Sequence, residues 1–521
     1  MPWGGWGEPR PLPDRVRALL HEVLGTTIPG PGAPAAGVDL PPSRLPAAAR
    51  GTLAAAASGQ LSEDRSARML HAGGKSTTDL LRRRAGDATA APDAVVTPAT
   101  HDEVLAVLAA AHEHRIAVVP FGGGTSVSGG VEPLRGGFGA VIALDLRRLD
   151  RLISVDGVSL TARLQAGLRG PEAEELLAGH GLTLGHLPQS FEHATIGGFA
   201  ATRSAGQASA GYGRFDDMVL AVKAATPRGT LVAGGRAPAS AAGPDLRQLL
   251  LGSEGVFGVI TEVTVMVRHR PEATLDEAWA LPDFAAGSAA LCQLAQSDGP
   301  RRAVARLSDE LETAVLALSA GGTEAGGCLA ITSYEGTADG AAAARQAAAR
   351  VLAAHGGAPL GPGPAAAWRE SRFAAPYLRD ALLAAGVLAE TLETATSWAN
   401  LPRLDAAVRS AVTTALTADG TAPLVMCHIS HVYPAGASLY YTVACAQAPD
   451  PIAQWAAAKT AAGDAIAAAG GTITHHHAVG TDHRGWMNAE IGDLGADVLR
   501  AVKATLDPAG VLNPGKLIPP R

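Results

Sequence analysis

Three consecutive histidines near the end of the chain, His475, His476 and His477, are its densest group of chemically active side chains. Imidazole groups can transfer protons near neutral pH and can also bind metal ions. Neighbouring side chains in an extended segment point to opposite faces, so at most two of the three can face one ligand. No carboxylate is spaced to complete a metal site, so we predict no metal and favour a catalytic role. A metal site and a structural run of buried or solvated histidines are the alternatives.

A glycine-rich segment that follows a predicted strand could bind phosphate. It consists of Pro120, Phe121, Gly122, Gly123, Gly124, Thr125 and Ser126. Consecutive glycines let successive backbone N–H groups converge on a diphosphate without a side-chain charge, and the two hydroxyls add donors. The spacing matches neither GxGxxG opening a helix nor GxxxxGK[ST], so it predicts neither a Rossmann site nor a P-loop. Taken alone, the segment is a weak signal and is more typical of an ordinary loop.

Two later segments repeat this combination of small and hydroxyl residues. Candidate cofactor contacts in the first are Gln189, Ser190, Thr195, Gly197, Gly198, Thr202, Arg203, Ser204 and Gly206. In the second, a glycine turn precedes a β-branched strand, and the candidates are Glu254, Gly255, Gly258, Val259 and Ile260. Each segment could be a turn, but three of them in one domain predict a site for a planar ring and its phosphates.

The elements that must position these segments form an α+β pattern. A strand over 94–97, a helix over 102–114 and a strand over 116–120 lead into the glycine loop. Further predicted elements are strand-like segments over 141–146, 159–166, 218–226 and 259–267 and a helix over 171–179. This domain is expected to end near Arg270.

The flanking regions differ from this domain in composition and predicted secondary structure. The Pro-rich start contains helical stretches over 15–24 and 67–84. After residue 270, Ala-rich amphipathic helices over 340–355 and 406–417 are separated by a few strand-like runs such as 328–333. Two strands over 425–430 and 438–446 and a helix over 451–469 then precede the histidine run.

Size and charge limit the classes of function. A chain of 521 residues suggests two or three domains. Lys and Arg number 42 against 49 Asp and Glu, a net charge of −7, so no basic field favours nucleic acid. A few local arginines must therefore bind any phosphate or carboxylate substrate.

Cysteine usage and the N-terminus indicate the compartment. Four widely spread cysteines have no metal-binding spacing, and the first residues have no apolar core of the signal-peptide type. Arg, Gly and Pro interrupt the Ala-rich stretches, so no membrane span is predicted. We expect a cytoplasmic enzyme, and the Ala, Gly and Arg usage hints at a bacterial genome.

The motifs together are familiar. The chain resembles the vanillyl-alcohol-oxidase and PCMH-type flavoproteins in PFGGGTSVSGG, GHLPQSFEHATIGGFAATRSAG, GSEGVFGVITEVTVMVR and HHHAVG. Within that superfamily it is similar to the alkyldihydroxyacetonephosphate synthase family. That finer likeness rests on WGGWG, APYLRD, ETLETATSW, HVYPAGASLYYT and the triple histidine.

The resemblance implies an architecture. It consists of an N-terminal helical and irregular region (1–91), a two-part PCMH-type FAD-binding domain (92–270), an α+β cap or substrate domain (271–465) and a C-terminal segment (466–521) that returns to the FAD site. FAD should be non-covalent, because residues 121–126 contain no His, Cys or Tyr that could tether it.

The resemblance also implies a redox-neutral reaction. The acyl group of 1-acyl-dihydroxyacetone phosphate would be exchanged for a long-chain alcohol through a flavin N5 adduct. By position, Tyr440, His476 and His477 match catalytic residues of the family, and Arg306 and Arg379 match arginines of its active site. A phenol can act as acid or base if its surroundings lower its pKa, and guanidinium groups suit phosphate or carboxylate. A buried structural tyrosine and surface arginines are the alternatives.

Two other functions stay open. One is an FAD-dependent oxidoreductase of the D-lactate or glycolate type, with arginines on the carboxylate and a histidine taking the hydroxyl proton. The other is a flavin-binding protein without catalysis, or a tailoring enzyme. Expected partners are a small phosphate or carboxylate substrate, a long-chain alcohol and a second copy in a homodimer, but no nucleic acid. Peripheral membrane contact is a further possibility.

Overall fold

The fold begins with short helices, and the segment between the third and the fourth of them contacts the glycine loop. The computed structural model describes residues 5–7, 12–27, 29, 32–34, 37–38, 40–297, 302–319, 326–418 and 420–520; Trp3 and Gly4 of the WGGWG motif lie outside them. The first elements are α1 (Asp14–Leu24), α2 (Ala47–Ala56), β1 (Leu61–Ser62), α3 (Arg65–Leu70) and α4 (Thr77–Arg84).

The helical stretch predicted over 67–84 is divided into two helices, because the chain leaves helical geometry between α3 and α4. Gly73 has φ +148°, and a Cβ on Gly74 would lie 2.2 Å from the Ser126 carbonyl oxygen. Lys75 N donates to that oxygen at 2.7 Å. Ser76 then starts α4 with a capping box to Asp79. The break lets the backbone approach the glycine loop.

A small, largely parallel sheet delivers the glycine loop. Its elements are β2 (Ala94–Val96), α5 (His101–His114), β3 (Ala117–Phe121) and β4 (Val141–Asp145). The strand order is β1-β2-β4-β3, with β2 and β3 parallel to β4. The predicted strand–helix–strand unit is therefore present, and its second strand ends where Gly122 begins.

An antiparallel sheet forms the second half of this domain. Its region contains β5 (Leu152–Asp156), β6 (Thr161–Gln165), α6 (Gly170–Ala178), β7 (Leu182–Thr183), α7 (Ile196–Thr202), α8 (Ser209–Tyr212), α9 (Phe215–Met218), β8 (Val219–Thr226), β9 (Gly229–Gly234), α10 (Arg247–Leu250), β10 (Val259–Met266) and β11 (Arg268–His269). The order is β5-β6-β10-β8-β9, with β7 and β11 as a separate pair. Leu164, Phe199 and Val263 lie in its apolar core.

The cap region is a seven-stranded antiparallel sheet with helices. Its elements are β12 (Ala273–Leu281), α11 (Phe284–Gln296), β13 (Val304–Ser308), α12 (Glu310–Ser319), β14 (Cys328–Gly336), α13 (Ala338–Ala354), β15 (Ala358–Gly361), α14 (Gly363–Ser371), α15 (Ala375–Ala384), β16 (Val387–Ser397), α16 (Leu401–Ala418), β17 (Leu424–Val432), β18 (Gly436–Ala446) and α17 (Pro451–Ala468). The strand order is β15-β12-β14-β13-β17-β18-β16. The α+β class is confirmed, but the cap contains more strands than predicted, and the predicted boundary at 465 falls inside α17.

The C-terminal segment returns to the first sheet. A 3-10 helix over Arg484–Trp486 leads into α18 (Met487–Leu506). Val118 of β3 then pairs with Leu512, and both side chains lie in the core of that sheet. Asn513 Nδ2 donates to the carbonyl oxygen of Glu254 at 2.6 Å. Among the residues described, no helix is long and apolar enough to cross a membrane.

Candidate active site

One row of the cap sheet places three site residues side by side. Glu393 of β16 stands opposite Tyr440 of β18, and Tyr440 stands opposite His428 of β17. Directly opposed residues share a face of the sheet. The His428 and Tyr440 rings are stacked with centroids 4.8 Å apart. The sheet register therefore fixes the position of the Tyr440 phenol.

A buried carboxylate holds the histidine run in place. The Glu393 carboxylate accepts the backbone N–H groups of His475 at 2.7 Å, His476 at 3.1 Å and His477 at 2.9 Å. It also accepts the hydroxyl of Thr474 at 2.6 Å. Four donors on one carboxylate specify the loop conformation without using the imidazole rings, which stay available for chemistry.

A second carboxylate, from the FAD-binding region, holds the end of the same loop. Glu254 Oε1 accepts the N–H of Val479 at 2.5 Å, and its Oε2 accepts that of Gly480 at 2.7 Å. Glu254 has φ +52°, a left-handed conformation that is uncommon outside glycine. Burial raises the pKa of this carboxyl to about 7, against the opposing effect of the two N–H donors.

The imidazoles of the run are kept neutral. Burial lowers the pKa of His476, lowers that of His477 well below its usual range and lowers that of His475 to about 3, although Glu393 acts in the opposite direction on all three. Burial also disfavours the charged form of Glu393, yet its surroundings hold its pKa well below the usual value. Because the imidazoles are neutral near pH 7, the N–H and hydroxyl donors are what stabilise this carboxylate.

The Tyr440 phenol does not have the lowered pKa that would make it a base. Burial raises its pKa, while a hydrogen bond with Thr391 and the charge of Arg379 act in the opposite direction. The phenol is therefore protonated near neutral pH and is a hydrogen-bond donor or acid. The neutral histidines beside it are the groups able to accept a proton.

Two arginines line the same cavity, each oriented by a buried carboxylate. Arg306 Nη2 donates to Glu312 Oε1 at 2.9 Å and lies 2.9 Å from His428 Nδ1. Arg379 Nη1 lies 3.0 Å from Glu390 Oε1. Arg306 Nε is buried and has no hydrogen-bond partner among the described residues. Each carboxylate fixes one side of its guanidinium group, and both arginines border the same cavity as the other residues of the site.

The predicted cofactor residues surround two adjoining cavities. The first cavity is bordered by Gly122, Gly123, Gly124, Thr125, Ser126, Gln189, Ser190, Thr195, Gly198, Thr202 and Ser204, together with Arg306, Arg379, Tyr440, His476 and His477. The second is bordered by Pro120, Phe121, Gly122, Ser126, Thr195, Gly197, Gly198, Thr202, Glu254, Gly255, Gly258 and Ile260. The two cavities share Gly122, Ser126, Thr195, Gly198 and Thr202 as lining residues, so together they form a candidate site for an extended cofactor.

The glycine loop fits a diphosphate. The backbone N–H groups of residues 122–126 donate no hydrogen bond to another residue that the structure describes. A Cβ would lie 2.3 Å from Thr195 Oγ1 at Gly122 and 2.1 Å from the His193 carbonyl oxygen at Gly123. The loop therefore requires glycine and leaves a cluster of N–H donors for a bound anion.

Four of the predicted site residues border neither cavity. Arg203 Nη2 donates to Gln248 Oε1 at 2.7 Å, away from the loop. Gly206 packs against Leu187, where a Cβ would lie 2.7 Å from the backbone nitrogen. Val259 is in the apolar core. His475 is buried, and its Nε2 lies 2.6 Å from the Tyr433 hydroxyl.

A histidine cluster is the nearest approach to a metal site in the described part of the chain. His431, His475 and His476 bring ring nitrogens within 4.8 Å of one another. His431 Nδ1 lies 2.6 Å from Ser209 Oγ, and the Nδ1 atoms of His475 and His476 are 2.9 Å apart. We interpret the cluster as a hydrogen-bonded network, and the absence of a metal stays a prediction.

Sequence reasoning missed several residues that shape the site. His428, His431, Thr391 and Trp6 border the first cavity, and Glu312, Glu390 and Glu393 orient its functional groups. A signal for Glu393 existed in the sequence: two glutamates recur three residues apart in the VLAETLETATS run. Nothing in the sequence linked Trp6 to a cavity more than a hundred residues away.

Comparison with known proteins gives consistent matches. The family model for an FAD binding domain matches residues 92–235, and that for the C-terminal domain of FAD linked oxidases matches residues 270–517. An alkyldihydroxyacetonephosphate synthase from Dictyostelium discoideum is 33% identical over 501 residues, covering 92% of this chain and 82% of that protein.

Solved structures and more distant relatives agree with this likeness. A solved alkyldihydroxyacetonephosphate synthase structure superposes with a TM-score of 0.84 at 30% identity, covering 99% of this chain and 98% of that one. A mitochondrial D-lactate dehydrogenase (cytochrome) from Arabidopsis thaliana is 27% identical, covering 82% of this chain and 74% of that protein. The match to the synthases is therefore the stronger of the two.

Proposed function

Since the chain belongs to the alkyldihydroxyacetonephosphate synthase family, a family of FAD-dependent enzymes with a PCMH-type fold, we propose that it makes an alkyl ether of dihydroxyacetone phosphate. The acyl group of 1-acyl-dihydroxyacetone phosphate is exchanged for a long-chain alcohol. The carrying observation is that Tyr440, His476 and His477 border one cavity with two arginines and the glycine loop. Acid, base and anion-binding groups thus face the place where the cofactor binds.

FAD supplies an electron-poor ring that can hold the substrate carbon during the exchange. The protein's own part begins with binding: the N–H donors of residues 122–126 receive the diphosphate, and the second cavity receives the rest of the nucleotide. Residues 121–126 contain no His, Cys or Tyr, so the flavin is non-covalent. Acid precipitation should leave yellow colour in the supernatant; colour in the pellet would refute this.

Proton transfer belongs to the loop and the phenol. The neutral imidazoles of His476 and His477 accept the proton removed from C1 of the substrate. The C1–oxygen bond breaks and the fatty acid leaves as a carboxylate. The protonated Tyr440 donates a hydrogen bond to an oxygen of that leaving group. The alcohol oxygen then bonds to C1 and loses its proton, and the protonated imidazole returns a proton to C1. C1 is then again a CH2 group, so the exchange is redox-neutral.

The arginines bind the substrate anion. Arg306 and Arg379 border the cavity and are held by Glu312 and Glu390, so a phosphate meets guanidinium groups that are already oriented. Changing each arginine to Ala should raise the KM for the acyl phosphate while leaving flavin content unchanged. If substrate binding were unaffected, these residues would not be the anion site.

The remaining partners are also part of the proposal. A long-chain alcohol is the second substrate, the enzyme works as a homodimer in the cytoplasm, and it contacts membranes only peripherally. A net charge of −7 is the support for excluding nucleic acid. Bacterial origin rests on composition alone, and the Dictyostelium relative is a eukaryotic protein.

The test is an anaerobic visible spectrum of the purified holoenzyme. Palmitoyl-dihydroxyacetone phosphate is titrated first, and D-lactate and glycolate are titrated in separate samples. Bleaching of the oxidised-flavin band by the acyl phosphate, its return on adding hexadecanol and release of palmitate would support the synthase. Lasting bleaching by a hydroxy acid, reversed only by an electron acceptor, would instead identify an oxidoreductase.

A further inference from the structure

The alcohol in the proposed exchange needs an acceptor for its proton. The substrates give up two protons, one from C1 and one from the hydroxyl group of the alcohol. The neutral imidazoles of His476 and His477 account for the first, and Tyr440 is already protonated. An alcohol is a weak nucleophile until a base receives its proton. A base from outside the histidine loop would leave the loop imidazoles free to return the first proton to C1.

His428 supplies a further imidazole to this cavity from strand β17. It is only 4% exposed and borders the first cavity. The hydrogen bonds of its ring to described residues are all made by Nδ1. Buried side-chain atoms without a partner in the described chain include Arg306 Nε and Glu312 Oε2 but not His428 Nε2. The Nε2 atom of His428 is therefore free of a protein partner and accessible to a ligand.

A buried carboxylate determines which nitrogen of His428 carries the proton. Nδ1 lies 3.0 Å from Glu312 Oε1, and Arg306 Nη2 donates to the same oxygen at 2.9 Å. Although burial opposes the ionisation of Glu312, its neighbours, Arg306 among them, lower its pKa to about 2. An ionised carboxylate only accepts hydrogen bonds, so it favours a proton on Nδ1 and a lone pair on Nε2. The same carboxylate stabilises the imidazolium that forms when Nε2 accepts a proton.

The position of His428 suits the oxygen that enters. The fatty acid oxygen that leaves and the alcohol oxygen that enters bond to the same carbon, C1. Tyr440 donates to the leaving group, and the His428 ring stacks on Tyr440 with centroids 4.8 Å apart, against 5.9 Å for His476. His431 also borders the cavity, but its Nδ1 lies 2.6 Å from the Ser209 hydroxyl oxygen and not beside a carboxylate. His428 therefore combines an oriented, accessible nitrogen with a place beside the phenol.

We propose that His428 is a catalytic base whose Nε2 accepts the hydroxyl proton of the long-chain alcohol as the alcohol oxygen bonds to C1. This inference rests on the proposed function. A lone pair of the alcohol oxygen forms the new bond, the electrons of its O–H bond stay on that oxygen, and Nε2 later releases the proton to water. The fatty acid leaves as a carboxylate, so each exchange releases one proton and transfers no electrons. Glu312 is a positioning residue in this step.

The experiment compares His428→Asn with His101→Asn in the full-length holoenzyme. Asn keeps an N–H donor near the position of Nδ1 and removes Nε2. His101 is a matched control because it is buried, is hydrogen-bonded to Thr261 and Thr230 and borders neither cavity. Palmitoyl-dihydroxyacetone phosphate is mixed either with hexadecanol or with labelled palmitate, and both exchange rates are measured with flavin content and melting temperature. Palmitate is already deprotonated and needs no base, so it separates this role from one that both exchanges share.

We expect His428→Asn to slow the exchange with hexadecanol by about 100-fold or more, the usual loss for a general base. The palmitate exchange and the flavin content of this variant should stay within twofold of wild type, and His101→Asn should change neither exchange. An equal loss in both exchanges, or no loss with hexadecanol, would overturn the proposal.

A second variant keeps the test decisive if His428→Asn fails to hold flavin. His428→Gln fills more of the imidazole volume and also lacks a proton acceptor of comparable strength, so the same two rates are measured on it. Loss of flavin from both variants would overturn the proposal, because His428 would then serve the fold or the cofactor. A wild-type protein that exchanges neither palmitate nor hexadecanol would overturn the proposed function itself.

Discussion

Replacing Glu393 with Gln should disable the histidine loop without removing any imidazole. Glu393 Oε1 accepts three donors, from Thr474, His476 and His477, and Oε2 accepts the N–H of His475. A Gln that places its carbonyl at Oε1 keeps three bonds but turns its NH2 group toward the His475 N–H. One buried N–H then lacks an acceptor, at about 1–3 kcal/mol, and three bonds lose the assistance of charge, at about 1 kcal/mol each.

Together these losses destabilise the ordered loop by about 4–6 kcal/mol. The kcat should therefore fall by at least about 100-fold, which corresponds to about 2.7 kcal/mol and so needs only part of that destabilisation. The assay is turnover of palmitoyl-dihydroxyacetone phosphate with hexadecanol, with flavin content and melting temperature measured on the same samples. Raising the pH should not restore activity, because the imidazoles are already neutral and loss of the Glu393 charge lowers their pKa further.

The matched control is Glu277→Gln on the same cap sheet. Glu277 makes a half-exposed ion pair with Arg345 at 3.7 Å, a kind of contact that contributes little. The Glu277→Gln substitution should leave kcat, flavin content and melting temperature near their wild-type values. A Glu393→Gln enzyme with kcat within twofold of wild type would refute the reasoning. A parallel loss of flavin and folding would show that Glu393 is structural only.

Three further results are expected. Tyr440→Phe should lower kcat by about 100-fold or more with flavin content unchanged, because it removes the phenol that acts as the acid but keeps the ring stacked on His428. The control is Tyr441→Phe, which should be near wild type because Tyr441 points to the opposite face of the sheet. Equal effects of the two substitutions would contradict the role assigned to Tyr440. Gly123→Ala should yield protein with little flavin, measured from absorbance ratios, because its Cβ would lie 2.1 Å from the His193 carbonyl oxygen. Full flavin content would contradict the assignment of the N–H donors of residues 122–126 to the cofactor diphosphate. Burial lowers the pKa of His186 to about 3. The contribution of the neutral imidazole to stability is therefore fully present above the unfolded pKa of about 6.5 and is lost as pH falls toward the folded pKa. His186→Asn should therefore flatten the fall in unfolding free energy below pH 6.5 by about 1.4 kcal/mol per pH unit, measured by denaturant titration, and an unchanged slope would count against it.

The secondary structure around the glycine loop could be predicted because it is local. The runs that became β3, β4 and β10 are apolar and β-branched, and a glycine follows β3 directly while glycines lie just before β4 and β10. Strand β16 was missed because the apolar residues of VLAETLETATS do not alternate with its polar ones, and because Glu and Ala are depleted in strands. Those glutamates are buried in the sheet because Arg379 and the histidine loop satisfy them. Tertiary partners decided that element, and they are not visible in its own sequence.

The types of the site residues could be predicted from the sequence, but their environment could not. Residue types that bind phosphate or move protons can be recognised from the chain, and most of them border the two cavities. Burial cannot be recognised in this way, and burial is what raises the pKa of Tyr440 and lowers that of His476. Their roles as acid and base follow from that environment. Trp6 could not be placed because its contacts with Asp380 and His193 span most of the chain.

The two carboxylates that hold the histidine loop come from different parts of the fold, and this has a consequence for assembly of the site. Glu393 belongs to the cap sheet and Glu254 to the turn before β10 of the FAD-binding region. Between them they accept the N–H groups of five residues from His475 to Gly480. The loop can therefore adopt this conformation only when the cap and the FAD-binding region are docked. Ser128, beside the glycine loop, adds a hydrogen bond to the His477 carbonyl oxygen at 2.9 Å. The proton-transfer groups therefore depend on the contact between the two regions, whereas the cofactor-binding glycine segments belong to the FAD-binding region alone. Errors in docking should consequently reduce catalysis before they reduce flavin binding.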